Sequence, residues 1–377
     1  MKRLFSVLVA FVCVLNLCSC TEKPVGETNE TTDENVMASD GMLVESVVVS
    51  SVKTTVADTT ETSTSNALKG MPDFAEDYFE DMMAMQENMY HSDFYGEEDF
   101  RTDRPQSDYL YYFESHDDQE IYSSGDYEYY ILKDGSAALR TYTGKLTHVK
   151  VPSTIDGRQV KLLSGTFSHN YYVREVEIPD SVESLKDTFE YCYLLKKVVI
   201  PESVIYIGSG TFSTCCSLEE ITLPSKVIGI ESSTFIDCHK LKKINLENIR
   251  YIGSAAFMCT ALEEITIPED VEYIGRLAFC DCWYLKKVNF NDKLVCIDND
   301  AFKDCRNLRS LEIPDSVKEI RDYVFVGCDN LTTVTTPSDV VYLGEKIFSN
   351  NDKMTINVVP NTMFEEYAKT YNYNYSY

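Results

Sequence analysis

Nine phenylalanines stand at positions 167, 189, 212, 235, 257, 279, 302, 325 and 348, each 22 or 23 residues after the one before. No other feature of the chain constrains its fold so tightly. A unit of that length cannot hide an apolar face alone. Stacked copies bury one continuous core and pair equivalent strands as parallel sheets about 4.8 Å apart. Nine coils at that spacing make a body roughly 40 Å long.

Other positions keep the same phase. A cysteine follows three residues after most of the phenylalanines, as Cys192, Cys215, Cys238, Cys282, Cys305 and Cys328, and Asn170 and Asn351 take that place in the first and last coils. Cys259 comes one position early, in a shortened coil, and is counted in the same ladder. Six residues after Phe comes an aliphatic such as Leu195, Leu218 or Leu308, then a strand of the type Val198-Val199-Ile200-Pro201, then a second short strand ending in Ile-Gly, as in Tyr273-Ile274-Gly275. One cysteine per coil, replaceable by asparagine, reads as an inward row donating to the backbone of a neighbouring coil. Disulfides are the alternative, since ten cysteines, an even number, lie between 192 and 328 of a secreted chain and stacking brings Cα atoms within bonding range.

This run of Ile-Pro, Val, Ile-Gly, Phe, Cys and Leu is similar to the BspA-type leucine-rich repeat of bacterial surface proteins. The resemblance covers about residues 126–377. It implies a leucine-rich-repeat right-handed coil with stacked parallel β-strands over 126–360 and a C-terminal helical cap over 361–377, and Tyr127 to Leu132, Asp134-Gly135 and Ala137 to Tyr142 read by themselves as a tight-turned β-hairpin cap over 126–147. Val151 to Gly157 looks like the family's opening repeat, and Met363 to Lys369 like its closing helix. The family resemblance also implies attachment to protein or glycan partners on host or neighbouring microbial surfaces.

The N-terminus points to the same compartment. Lys2 and Arg3 precede an apolar run from Leu4 to Leu17, too short for a membrane span of about 20 residues. The run ends in Leu17-Cys18-Ser19-Cys20, which resembles a bacterial lipobox with Cys20 as lipid acceptor, although Cys18 is an unusual residue for its position. Residues 1–19 are read as a lipoprotein signal peptide, and the mature chain as displayed outside the cell, lipid-anchored or secreted.

Between anchor and repeats lies an acidic stalk. Residues 21–125 hold 25 acidic side chains against 5 basic, out of a net charge of −27 for the whole chain. Residues 20–70 are rich in Thr, Ser and Glu and bury too little apolar surface to offset ordering entropy, so they read as flexible. Residues 71–125 are acidic yet rich in Met and Tyr. Met71, Phe74, Tyr78, Met82, Met85 and Met89 make a helical stripe over 71–90, either a partly formed stalk helix or a docking helix. Such a polyanion repels phosphate backbones, which argues against nucleic acid, and contact with a membrane is expected only through the lipid.

Within the repeats two surface rows stand out. Just before each strand the sequence reads Arg174-Glu175, Lys196-Lys197, Glu219-Glu220, Lys242-Lys243, Glu263-Glu264 and Lys286-Lys287. In stacked coils these are neighbours, and alternating sign favours the stack. Tyr206, Tyr251, Tyr273 and Tyr342 share one outward position and form a candidate binding face, with bracing of adjacent coils as the structural alternative.

Chemistry has little support. Cys280-Asp281-Cys282 and Cys238-His239 faintly resemble metal ligands, but neither has a paired second half. There is no phosphate-binding glycine loop, zinc-protease helix or nucleophile with a base and acid in a recognisable setting. The expectation is a surface binding or adhesion protein with no enzyme activity, metal or cofactor. A cell-envelope scaffold for another protein of the same bacterium is the alternative, and a hydrolase with an unrecognised site the third.

Overall fold

The computed structural model describes residues 120–348 and 353–377. The Cys20 lipobox, the stalk over 20–70, the helix over 71–90 and the Asn351 position lie outside the described residues.

Each repeat contributes two short strands and a turn that carries the phenylalanine. The first strands form one column from His148–Lys150 to Asn374–Ser376, and the second strands another from Arg158–Ser164 to Tyr342–Leu343. Pairing between coils is parallel and in register, as in Glu264↔Lys287, Ile265↔Val288 and Thr266↔Asn289, or Cys296↔Glu319 and Ile297↔Ile320. A one-residue slip would turn every inward aliphatic outward, so the alternation of apolar and polar residues pins the register. One apolar core runs from Tyr129 to Tyr373.

The phenylalanines stack along this core. From Phe167 to Phe348 successive ring centroids lie 5.1–5.6 Å apart, with ring planes within 3–14° of each other. Tyr142 continues the stack beyond Phe167 at 5.3 Å, and Tyr367 and Tyr373 meet Phe348 edge-on at its other end. Offset stacking of this kind adds to the area buried by each ring.

The turns around each phenylalanine hold a feature that composition hides. The residues two before and two after Phe adopt left-handed conformations with φ between +44° and +75°, including Asp187, Leu277 and Tyr323 before it and Tyr191, Asp237 and Asp304 after it. Such residues cost about 1–2 kcal/mol each when they carry a Cβ. The turn compensates by making a third row of bonds between coils. Phe189 N–H donates to Thr211 O at 2.9 Å, Tyr191 N–H to Ser213 O at 2.9 Å and Leu277 N–H to Asn299 O at 3.0 Å, each reaching into the next coil.

At the N-terminal end Tyr127–Ile131 and Ala137–Tyr142 form an antiparallel hairpin, and Ala137–Tyr142 pairs in parallel with Arg158–Ser164. At the other end the helix Met363–Thr370 buries Phe364 and Ala368, and Asn374–Ser376 adds a last parallel strand. Glu365 ties this end together: its carboxylate accepts from Lys369 Nζ at 2.5 Å, Asn361 N–H at 2.6 Å and the Tyr377 hydroxyl at 2.6 Å. The Lys369 bond leads in holding its carboxyl at about 2, below the ordinary range.

Candidate interaction surface

The cysteine ladder faces inward. Six thiols donate to the phenylalanine carbonyl of the preceding coil: Cys192 to Phe167, Cys215 to Phe189, Cys238 to Phe212, Cys282 to Phe257, Cys305 to Phe279 and Cys328 to Phe302, at 3.0–3.3 Å. The same carbonyls take a backbone N–H from their own coil, as Phe189 O does from Cys192 at 3.0 Å. All ten described cysteines are free thiols. Burial pushes the thiols of the row up, that of Cys282 to about 12.

Cys259 does not belong to the row. Thr260 takes the ladder place, its N–H on Phe257 O at 3.2 Å and its hydroxyl 3.3 Å from Cys282 Sγ, while Cys259 adopts the left-handed position with φ +60°. The missing residue of that coil falls after the ladder position, so the next buried aliphatic, Leu262, comes one place early. Nor do the faint metal motifs assemble. Cys238 is spent on Phe212 O, and His239 Nδ1 lies 3.1 Å from Cys259 O. Among the described residues no group of three His, Cys, Asp or Glu is placed to hold a metal ion.

Two members of the tyrosine row of the second strands are used internally. Tyr251 lies over Gly229 of the preceding coil, where a side chain would overlap its ring, and donates to Glu231. Tyr273 donates to Asp298, which also accepts from Arg321 Nη1 at 3.1 Å. Glu231 and Asp298 are both buried, and the phenols supply their partners. Tyr206, Tyr251 and Tyr273 are half-buried, and Tyr342 is exposed. At Tyr251 and Tyr273 the row therefore braces neighbouring coils.

The charged row of the first strands has the alternation expected of it. Glu175 pairs in register with Lys197, Glu220 with Lys243 and Glu264 with Lys287. Lys286 Nζ meets Glu263 Oε2 at 2.6 Å. These side chains are exposed, and their opposite signs cancel at short range.

The turn edge of the first coils presents a different surface. Tyr171 and Tyr172 are 43% and 47% exposed, and Leu194 beside them is exposed too. Tyr171 stacks on Tyr193 at 5.9 Å, His169 on Tyr191 at 4.7 Å, and Lys145 Nζ lies 5.8 Å from the Tyr172 ring centroid. Asn170 fixes this turn, its Oδ1 accepting from the N–H groups of Tyr172 and Val173 at 2.9 Å. In the turn of the second coil Glu190 is half-buried, and burial, reinforced by Asp187, raises its carboxyl to about 7. These residues do not stand out in the sequence, because aromatics fill the fourth and fifth places after Phe in only some coils, as Tyr171-Tyr172, Tyr193-Leu194 and Trp283-Tyr284, where Tyr284 is exposed as well. The weak signal is the doublet Tyr171-Tyr172 opposite Tyr193-Leu194.

Two parallel strand columns, an aromatic stack and a buried ladder define a repeat solenoid whose side chains are spent on stacking except at certain edges. The chain belongs to the BspA type leucine rich repeat family, whose repeat region, in six copies, matches residues 160–286 and 250–376. No curated protein matches it. Among solved structures it is similar to a leucine rich cell surface protein from Faecalibacterium prausnitzii, with 21% identity over 69% of this chain and 95% of that one and a TM-score of 0.43. It is also similar to a leucine rich repeat protein of T. pallidum, with 21% identity over 68% of this chain and 98% of that one and a TM-score of 0.35. A leucine-rich repeat protein from Bacteroides ovatus matches at 20% identity over 68% and 99%, with a TM-score of 0.28.

Proposed function

We propose that this chain is a non-catalytic binding protein of the bacterial cell surface, held by lipid on Cys20, that attaches to a protein or glycan partner through the turn edge of its first coils. The observation that carries this reading is the exposure of Tyr171 and Tyr172, with Leu194, on a turn whose backbone is fixed by Asn170 and by bonds to the next coil. Exposed aromatics on a rigid frame give contact area at little entropic cost, which is why Tyr is enriched in interfaces. The adjacent Lys145 adds a cation to an otherwise acidic chain, suiting a partner with carboxylates beside apolar groups.

The test is capture by the full mature chain. Wild type and the Tyr171→Ser/Tyr172→Ser double variant are compared for what they retain from host matrix proteins and from the bacterium's own envelope extract. Loss of capture in the variant at unchanged melting temperature supports the reading. Equal capture removes this edge. A partner found only in the envelope extract makes the protein a scaffold for its own cell, and Cys20→Ala releases the chain into the medium if the anchor is as proposed.

A further inference from the structure

The first strand column ends openly at its N-terminal side. His148–Lys150 pairs only with Glu175–Glu177, and among the described residues no strand lies on its other flank. The hydrogen bonds show which groups are spent. Thr147 O accepts from Arg174 and Glu175 N–H at 2.8 and 3.0 Å, and Val151 N–H donates to Glu177 O at 3.0 Å. Backbone groups alternate sides along a parallel strand. Those of Thr147, Val149 and Val151 therefore face the next coil, and those of His148 and Lys150 face the open edge. Unpaired edges of this kind are templates for another strand.

The side chains of the edge specify what such a strand carries. His148 and Lys150 point outward, with side chains 66% and 80% exposed, and Val149 points inward and is buried. On the occupied flank their partners are Glu175 at 3.3 Å and Glu177 at 2.8 Å, on either side of Val176. Farther along the row Lys197 and Lys243 stand between acidic residues of the coils on both sides. Among the described residues the open flank of His148 and Lys150 has no second acid. Leu146, 61% exposed, and the Lys145–Tyr172 pair lie immediately before the edge, so it is continuous with the aromatic turn.

We propose that the His148–Lys150 edge binds an extended segment of a partner protein by strand addition, and that the segment has an acidic–aliphatic–acidic core. This deepens the binding reading by naming the partner's chemistry at its end of the same surface. Main-chain bonds to His148 and Lys150 supply affinity, and carboxylates opposite the Lys150 ammonium and the His148 ring N–H, with an aliphatic opposite Val149, supply selectivity. The pattern is the same in both chain directions, so the selectivity does not depend on the orientation of the added strand.

The probe is a labelled peptide with a Glu-Val-Glu core flanked by neutral residues, titrated into the full mature chain and compared with a Lys-Val-Lys peptide. The Lys150 pair changed from attraction to repulsion, together with the acceptor lost opposite the His148 ring, gives about a fivefold preference for the acidic core. Lys150→Pro deletes one open-edge N–H, leaves the main-chain bonds to Glu175–Glu177 in place while removing the exposed Lys150–Glu177 ion pair, and is tolerated on an edge strand. It should abolish binding at unchanged melting temperature, and His148→Glu/Lys150→Glu should reverse the preference. Binding that survives Lys150→Pro, no preference between the peptides, or no binding of either overturns strand addition of this chemistry. So does self-association of wild type that Lys150→Pro abolishes, which would make a second copy the occupant. Tyr171→Ser/Tyr172→Ser still loses its partner if only this inference fails, so the two readings separate.

Discussion

The thiol of Cys192 donates to the carbonyl of Phe167, one coil earlier, at 3.0 Å. The contact joins the two most regular positions of the sequence, and five further coils repeat it. A buried thiol at such a place acts as a small apolar filler with one weak donor. Burial raises its pKa, so the reactive thiolate is suppressed. Under native conditions at pH 8 an alkylating reagent should label the half-buried Cys216 first, and the six ladder cysteines only on unfolding. Mass spectrometry of tryptic peptides reads the result. Cys215→Asn should be tolerated better than Cys215→Leu, which overpacks the ladder at a cost of about 1–3 kcal/mol.

The phenylalanine stack carries a larger penalty. Phe257 is fully buried between Phe235 and Phe279, with centroids 5.6 and 5.3 Å away. Phe257→Ala should cost about 3–5 kcal/mol in denaturant unfolding. Because coils contact only their neighbours, the damage should be local, with protection from hydrogen exchange lost first in the coils flanking 257.

The charged row gives a salt-dependent prediction. Glu263→Lys/Glu264→Lys places three lysine pairs in adjacent coils, where Lys286 now holds Glu263 at 2.6 Å. The melting temperature should fall, more at low ionic strength than at high. The Lys286 hydrogen bond lowers the Glu263 carboxyl. Its contribution is therefore full above the ordinary carboxylate range and is lost as pH falls through the lowered value. A salt-independent change would show that the coils do not stack in this register.

Two other carboxyls move stability in opposite directions with pH. Glu190, raised to about 7 by burial, binds its proton more tightly in the folded chain. Stability at this site is greatest below the unfolded value and is lost as pH rises towards about 7 and beyond. Glu190→Gln should raise the melting temperature at pH 8 and change little at pH 4. Glu365, held at about 2, contributes fully above the unfolded carboxylate value and loses that contribution as pH falls towards 2. Glu365→Gln should expose the Lys369 bond to trypsin sooner at pH 8.

These carboxyls also mark where the sequence stops being readable. Phenylalanine spacing is enough for the solenoid because one inward residue per coil sets the phase for all others. The tyrosine row misleads, since period-2 alternation places Tyr251 outward but cannot tell that its ring falls over Gly229 and bonds Glu231. Spacing assigns Cys259 to the ladder because it reveals a missing residue without locating it within the turn. Left-handed turn residues such as Leu277 and Tyr323 leave no compositional mark, because bonds between coils, rather than glycine, offset their cost. The aromatic edge keeps the phase of the repeat but fills it in only a few coils, so it does not read as a row.

That edge is the centre of the account, and capture by the full mature chain tests it most directly. Wild type and Tyr171→Ser/Tyr172→Ser, matched for melting temperature, are exposed in parallel to host matrix proteins and envelope extract, and the retained proteins are quantified by mass spectrometry. The account predicts a partner retained by wild type and lost, by about tenfold or more, in the variant, as expected when two interface aromatics are truncated. Retention of the same partner at the same level by both chains would contradict it.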